Sequence, residues 1–77
     1  MSFIKQKELE VLKKRYPPGC RVMLVAMDDL YREDLIPGSL GTVVFVDSIG
    51  TIHVNWDCGS SLGVVYGVDI CQPTIAE

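Results

Sequence analysis

The chain has 77 residues, 48% of them hydrophobic and 22% charged, with a formal net charge of −3. That composition excludes a disordered chain, and no apolar run approaches the ~20 residues that span a bilayer. A chain this short hides only roughly 60% of its unfolded surface, which is enough for one core and no deep substrate cleft.

The charge is divided unevenly. Residues 1–16 carry five cations (Lys5, Lys7, Lys13, Lys14, Arg15) against Glu8 and Glu10, a net of +3. Residues 17–77 carry two cations against eight carboxylates, a net of −6. An acidic body repels a phosphate backbone, so it is a poor nucleic-acid surface. Cys20, Cys58 and Cys71 are odd in number and contain no C-x-x-C pair. Free thiols in a reducing compartment fit better than a disulfide framework. The charged N-terminus has no apolar h-region, so the expectation is a soluble cytoplasmic chain without a signal peptide.

In chain order, Ser2–Arg15 reads as a helix with Ser2 as its N-cap. Ile4, Leu9, Val11, Leu12 and Tyr16 fall on one stripe, interrupted by Glu8 and Arg15. Glu10 and Lys14 form an i,i+4 pair, and Lys13, Lys14 and Arg15 suit the negative end of the helix dipole. Pro17 and Pro18 stop the helix. A helix this short needs a surface for its stripe. Three surfaces are open: its own domain, a second copy, or a partner.

Residues 17–77 read as a separate β domain. Cys20–Met27 is a first strand with Val22 and Leu24 inward and a bulge near Val25. Asp28–Pro37 is a long polar loop ending in a Pro-Gly turn. Leu40–Asp47 and Thr51–Asp57 are rich in Val, Ile, Thr, Phe and Trp, which suit a pleated surface. In the second, Ile52, Val54 and Trp56 share inward parity, while Thr51, His53, Asn55 and Asp57 face water. Ser48-Ile49-Gly50 and Asp57-Cys58-Gly59 are three-residue loops whose last position needs a left-handed residue. They predict a three-stranded antiparallel meander completed by a fourth strand, Ser60–Tyr66, with Gly63 at a close approach. A turn at Gly67-Val68-Asp69 and a short edge strand, Ile70–Thr74, finish the chain. Five short strands with a long first connection and tight central hairpins are the layout of an all-β SH3-like barrel, here with an N-terminal α-helix.

Pro18-Gly19-x-Arg21-Val22, Met27-Asp28-Asp29, Pro37-Gly38-x-x-Gly41-Thr42-Val43, Asp47-x-x-Gly50-Thr51-Ile52, Val54-x-Trp56-Asp57-x-Gly59-Ser60 and Gly67-Val68-Asp69 together carry a resemblance. Residues 17–70 resemble a small bacterial and phage or mobile-element family designated domain of unknown function 4314. The helix lies outside those motifs. The resemblance implies a fold and a setting but no activity. The Gly41-x-Val43 pattern is also similar to SH3-like motifs of ribosome- and transcription-associated proteins.

No catalytic constellation stands out. Cys58, Ser60 and Ser61 lie near His53 without an orienting third group or an oxyanion motif, so no enzyme is expected. His53 with the three cysteines lacks the close pairs of a zinc site, and the acidic loop lacks calcium-loop spacing, so no metal or cofactor is expected. An aromatic cage of Trp56, Tyr31 and Tyr66 would grip a methylated cation, but its parity places Trp56 in the core. Gly38-Ser39-Leu40-Gly41 is turn chemistry, since a clamping G-x-x-G loop needs flanking helices and basic residues. The reading that remains is a non-catalytic binding or adaptor module for a protein segment. Its candidates are Tyr31, Asp28, Asp29, Glu33 and Asp34 of the long loop, which would offer charge to a basic peptide, with His53 and Asn55 beside it. The second reading is a nucleic-acid accessory protein whose Lys5, Lys7, Lys13, Lys14 and Arg15 contact phosphate. The third is an oligomer held by the helix stripe.

Overall fold

The computed structural model describes residues 4–27 and 35–74, which form one helix, α1 (Gln6–Arg15), and five strands: β1 (Arg21–Ala26), β2 (Leu40–Val46), β3 (Thr51–Trp56), β4 (Val64–Val65) and β5 (Ile70–Pro73). All pairings are antiparallel and the strand order is β4-β3-β2-β1-β5. Among the described residues no ladder joins β4 to β5, so the hydrogen-bonded sheet is open at that seam.

The β1/β2 ladder is framed by one device used twice. In Pro17-Pro18-Gly19-Cys20 the Cys20 N–H donates to the Pro17 carbonyl at 3.0 Å, and Gly19 takes φ +91°. In Ile36-Pro37-Gly38-Ser39 the Ser39 N–H donates to the Ile36 carbonyl at 3.0 Å, and Gly38 takes φ +97°. Proline second and a left-handed glycine third is the pattern of a type II turn. Each glycine then donates its N–H into the ladder at 2.8 Å, Gly19 to Val43 and Gly38 to Leu24. The turns hold both ends of the pairing at Arg21↔Thr42, Val22↔Gly41 and Met23↔Leu40. Leu35, the last residue of the long connection before Ile36, is buried in the core.

The meander β2-β3-β4 follows the expected loops. Asp47 N–H donates to the Thr51 carbonyl, and Trp56 N–H to the Ser60 carbonyl, each closing a three-residue loop. Parity holds as well: Val22, Leu24, Ile52, Val54 and Trp56 are buried, and the register slips at Val25 between β1 and β5. Trp56 is therefore a core residue and not a ligand cage. It lies over Gly41, where an added Cβ would sit 2.8 Å from Trp56 Cε3 and 2.6 Å from Val54 Cγ1.

The fourth strand is shorter than the sequence suggests. Val64 and Val65 pair with β3, while residues 60–63 are not extended pairing chain. They serve the tryptophan instead: Trp56 Nε1–H donates to the Leu62 carbonyl at 2.8 Å, and Leu62 N–H donates to Ser60 Oγ at 3.2 Å. An indole N–H buried in a core needs a partner, and this segment bends to supply one.

The helix is also shorter. It starts at Gln6, with Lys5 extended at the N-cap position, while Ser2 lies outside the described residues. Glu8 Oε1 accepts the Lys5 N–H at 3.2 Å, so the fourth residue of the segment satisfies the free donor. Leu9 and Tyr16 are buried, with Leu12 and Ile4 partly buried against the same core, so the stripe packs on its own sheet. Val11 does not join them and is 63% exposed.

Gly41→Ala forces a methyl group between Val54 and Trp56. The expected loss of stability is about 1–3 kcal/mol, read as a lower urea midpoint at unchanged slope. An unchanged midpoint would mean that Trp56 does not rest on Gly41.

Candidate ligand groove along the helix

Helix α1 lies at one end of the sheet and is fastened at both of its own ends. At the N-terminal end, Ile4 reaches Gly50 and Tyr66: an added Cβ at Gly50 would sit 3.1 Å from both Ile4 Cδ1 and Tyr66 Cβ. One turn on, the Tyr66 hydroxyl donates to Glu8 Oε2 at 2.7 Å. That bond holds the Glu8 carboxyl below its ordinary range and raises the Tyr66 phenol. At the C-terminal end, Tyr16 is buried and its hydroxyl donates to the Cys71 carbonyl of β5 at 3.1 Å. Desolvation, together with nearby Cys71, raises the Tyr16 phenol.

Between those fastenings, α1 and the end of β4 leave an open groove of about 390 Å³. Val11, Leu12, Tyr16 and Tyr66 give it apolar walls, while Lys7, Glu8 and Arg15 stand on its rim. The groove continues past Leu12, Tyr16 and Tyr66 into a smaller cavity of about 220 Å³ at the open seam, where Ile52 and Val64 meet Ile70 and Cys71. Ile70, which lines that cavity, is also exposed and extends the apolar surface. On the other flank of the helix, Lys13 and Phe45 border a third cavity of about 230 Å³. Tyr16 lines all three.

The residues singled out from sequence lie elsewhere or are divided. Asp28, Asp29, Tyr31, Glu33 and Asp34 lie outside the described residues. His53 and Asn55 are on the outward face of β3, and neither lines the groove. His53 is half-buried. Its Nε2 is 2.9 Å from Asp47 Oδ2, and its ring stacks on Phe45 with centroids 4.4 Å apart and planes 9° from parallel. Partial burial pushes the Asp47 carboxyl up. The bonds from His53 and from the Thr51 and Ile49 N–H groups outweigh it and hold the group below its ordinary value. The five cations are split: Lys7 and Arg15 reach the groove, Lys13 the opposite flank, Lys14 is exposed, and Lys5 precedes the helix. Arg15 sits over the Tyr16 ring, 5.9 Å from its centroid.

Two features had no sequence signal. The groove depends on Tyr66, which lies 58 positions from its partner Glu8. Arg21 ties β1 to β2 and to the loop after β3: it donates to Thr42 Oγ1 at 2.8 Å and to both carboxylate oxygens of Asp57. That guanidinium holds the Asp57 carboxyl below its ordinary range. Among the described residues, no three His, Cys, Asp or Glu side chains converge as a metal set. No described helix is long and apolar enough to cross a membrane.

The signs of these shifts fix an acid dependence. Glu8, Asp47 and Asp57 all have folded pKa values below their ordinary 4.5, 3.8 and 3.8. Their contribution to stability is complete above those values and disappears as pH falls through the folded ones. Tm is therefore flat from neutral pH to about pH 5 and drops below about pH 4. Asp57→Asn lowers Tm at neutral pH and converges on the wild type in acid. A constant gap at every pH contradicts the assignment.

The thiols divide by environment. Cys58 is exposed, whereas burial pushes the Cys71 thiol up to about 11. Alkylation of the native chain at neutral pH labels Cys58 and spares Cys71 until urea is added, as mass spectrometry of the two peptides would show. Equal labelling of both in the native chain would place Cys71 outside the core.

No curated protein and no solved structure matches the chain. One family model does, over residues 5–74, and so it takes in α1 as well as the strands. The chain belongs to that family, DUF4314, a domain of unknown function.

Proposed function

We propose that the chain is a non-catalytic binding or adaptor module that holds a segment of another protein. Its strands are read as an SH3-like barrel whose open seam is covered by α1, and its setting as the cytoplasm of a bacterium, in a phage or mobile-element context. The observation that carries this reading is the groove along α1. It is apolar, open and walled by side chains already held in place: Leu12 and Tyr16 by the core, Tyr66 by Glu8. An exposed Val11 beside a pre-formed groove is the kind of surface on which an apolar anchor gains most, because the groove is not reordered on binding. His53 and Asn55, with Asp28, Asp29, Tyr31, Glu33 and Asp34, remain the candidate residues for a second contact on the sheet face.

One observation favours a nucleic-acid role. Lys7, Lys13, Lys14 and Arg15 make no ion pair with a carboxylate among the described residues. Against it, these cations are distributed around more than half of the helix circumference, and residues 17–77 carry a net of −6.

Selection of a random peptide library on the immobilised chain, counter-selected on Val11→Asp, separates the two. The proposal predicts peptides that bind the wild type and lose the variant, and mixed-sequence DNA and RNA that leave the amide spectrum of residues 5–15 unmoved at low salt. Shifts on residues 5–15 that collapse with added salt, with no peptide enriched, would replace it with the phosphate reading.

A further inference from the structure

We infer that the groove takes an acidic segment, one that places an apolar anchor between carboxylates. This rests on the proposal that the groove holds a protein segment. Lys7, Val11 and Arg15 are spaced i, i+4, i+8, so a cation stands about 6 Å along the helix axis on either side of the exposed valine. Neither cation is paired with a carboxylate among the described residues. The one carboxylate on the rim, Glu8, is already engaged through both oxygens, by the Lys5 N–H and by the Tyr66 hydroxyl. Glu8 keeps its charge, so the rim carries two cations against one carboxylate, and what the groove presents to an arriving chain is an apolar wall with a cation on either side of Val11 and a carboxylate whose acceptors are already taken.

The acidic body pulls the other way, and distance decides between them. Among the described residues no carboxylate of the body lines the groove, and Asp69 borders the adjoining cavity instead; across solvent the screening length is about 8 Å at physiological salt. Lys7 and Arg15 act at contact beside an apolar wall, where a charge is screened less. A basic segment would meet both cations at that range. A nucleic-acid strand would satisfy them but leave Val11 and Leu12 without an apolar partner, so the charge and the wall together favour a peptide.

The test uses the full chain and its Lys7→Glu, Arg15→Glu double variant. Both substitutions are at exposed helix positions and leave the buried Leu9 and Tyr16 in place. Random peptide libraries are selected on each. The wild type should return peptides with Leu, Ile or Phe among Asp and Glu, and the double variant should return peptides with Lys and Arg in those places. A synthetic peptide from the wild-type pool should bind the double variant about tenfold more weakly. Neutral or basic peptides from the wild type, or the same pool from both proteins, would overturn the acidic occupant while leaving a binding module in place. A dimer in sedimentation that Val11→Asp splits would assign the groove to a second copy and overturn it too. No enrichment on either protein over bare support would remove the binding-module reading itself.

Discussion

The Tyr16 hydroxyl donates to the Cys71 carbonyl across 55 positions of sequence, and it does so at the seam where, among the described residues, no strand pairing closes the sheet. Cys71 lies on β5, an edge strand, and its carbonyl would otherwise face the seam unpaired. A buried carbonyl without a donor costs about 1–3 kcal/mol. The phenol satisfies it and at the same time fills the space beside β5 with an apolar ring. Because Tyr16 is also the C-cap residue of α1, the bond that finishes the sheet fixes the end of the helix. Leu12 and Leu9, one and two turns back, then face the same core.

The sheet that receives the helix is set by a different constraint, the seat of Trp56. The indole needs a glycine beneath it on β2 and a carbonyl beside it, and Gly41 and Leu62 provide them. The second requirement decides the length of β4. Ser60–Gly63 carry Ser, Leu and Gly in an order that extended chain tolerates, yet they turn in to meet the indole, and pairing resumes only at Val64. The seam lies on the other edge of β4, where among the described residues no ladder joins it to β5, and Leu12 and Tyr16 of α1 line the cavity there. Trp56 thus sets the length of the β3/β4 pairing, and Tyr16 reaches the seam on the far side of β4.

Much of this was legible in the residues. Alternation in Thr51–Trp56 placed Ile52, Val54 and Trp56 together in the core, because a period of two admits no other assignment once one face is buried. The paired three-residue loops were legible because a terminal glycine at a left-handed position leaves few alternatives. The helix start was misread because Ser2 has the right chemistry for a cap, whereas the satisfied donor is at Lys5 and the acceptor is Glu8. Glu8 counted as a flaw in the apolar stripe, and it is the anchor for Tyr66. Val11 counted as stripe, and it is exposed, since the buried arc is centred on Leu9, Leu12 and Tyr16. The groove could not be found from sequence at all: its far wall comes from the end of β4, and nothing local to α1 announces that Tyr66 is there.

Read as a whole, α1 is a wall of the candidate site as well as a closure of the core. The groove exists only while the helix is docked, so docking is the claim on which the functional account stands. Native-state hydrogen exchange of the full chain, followed residue by residue, tests it most directly. Amides of α1 from Glu10 to Tyr16 should open with the same free energy as those of β1 and β3, as parts of one cooperative unit. Helix amides that exchange freely while the strands stay protected would mean that α1 leaves the seam in solution, and the groove with it.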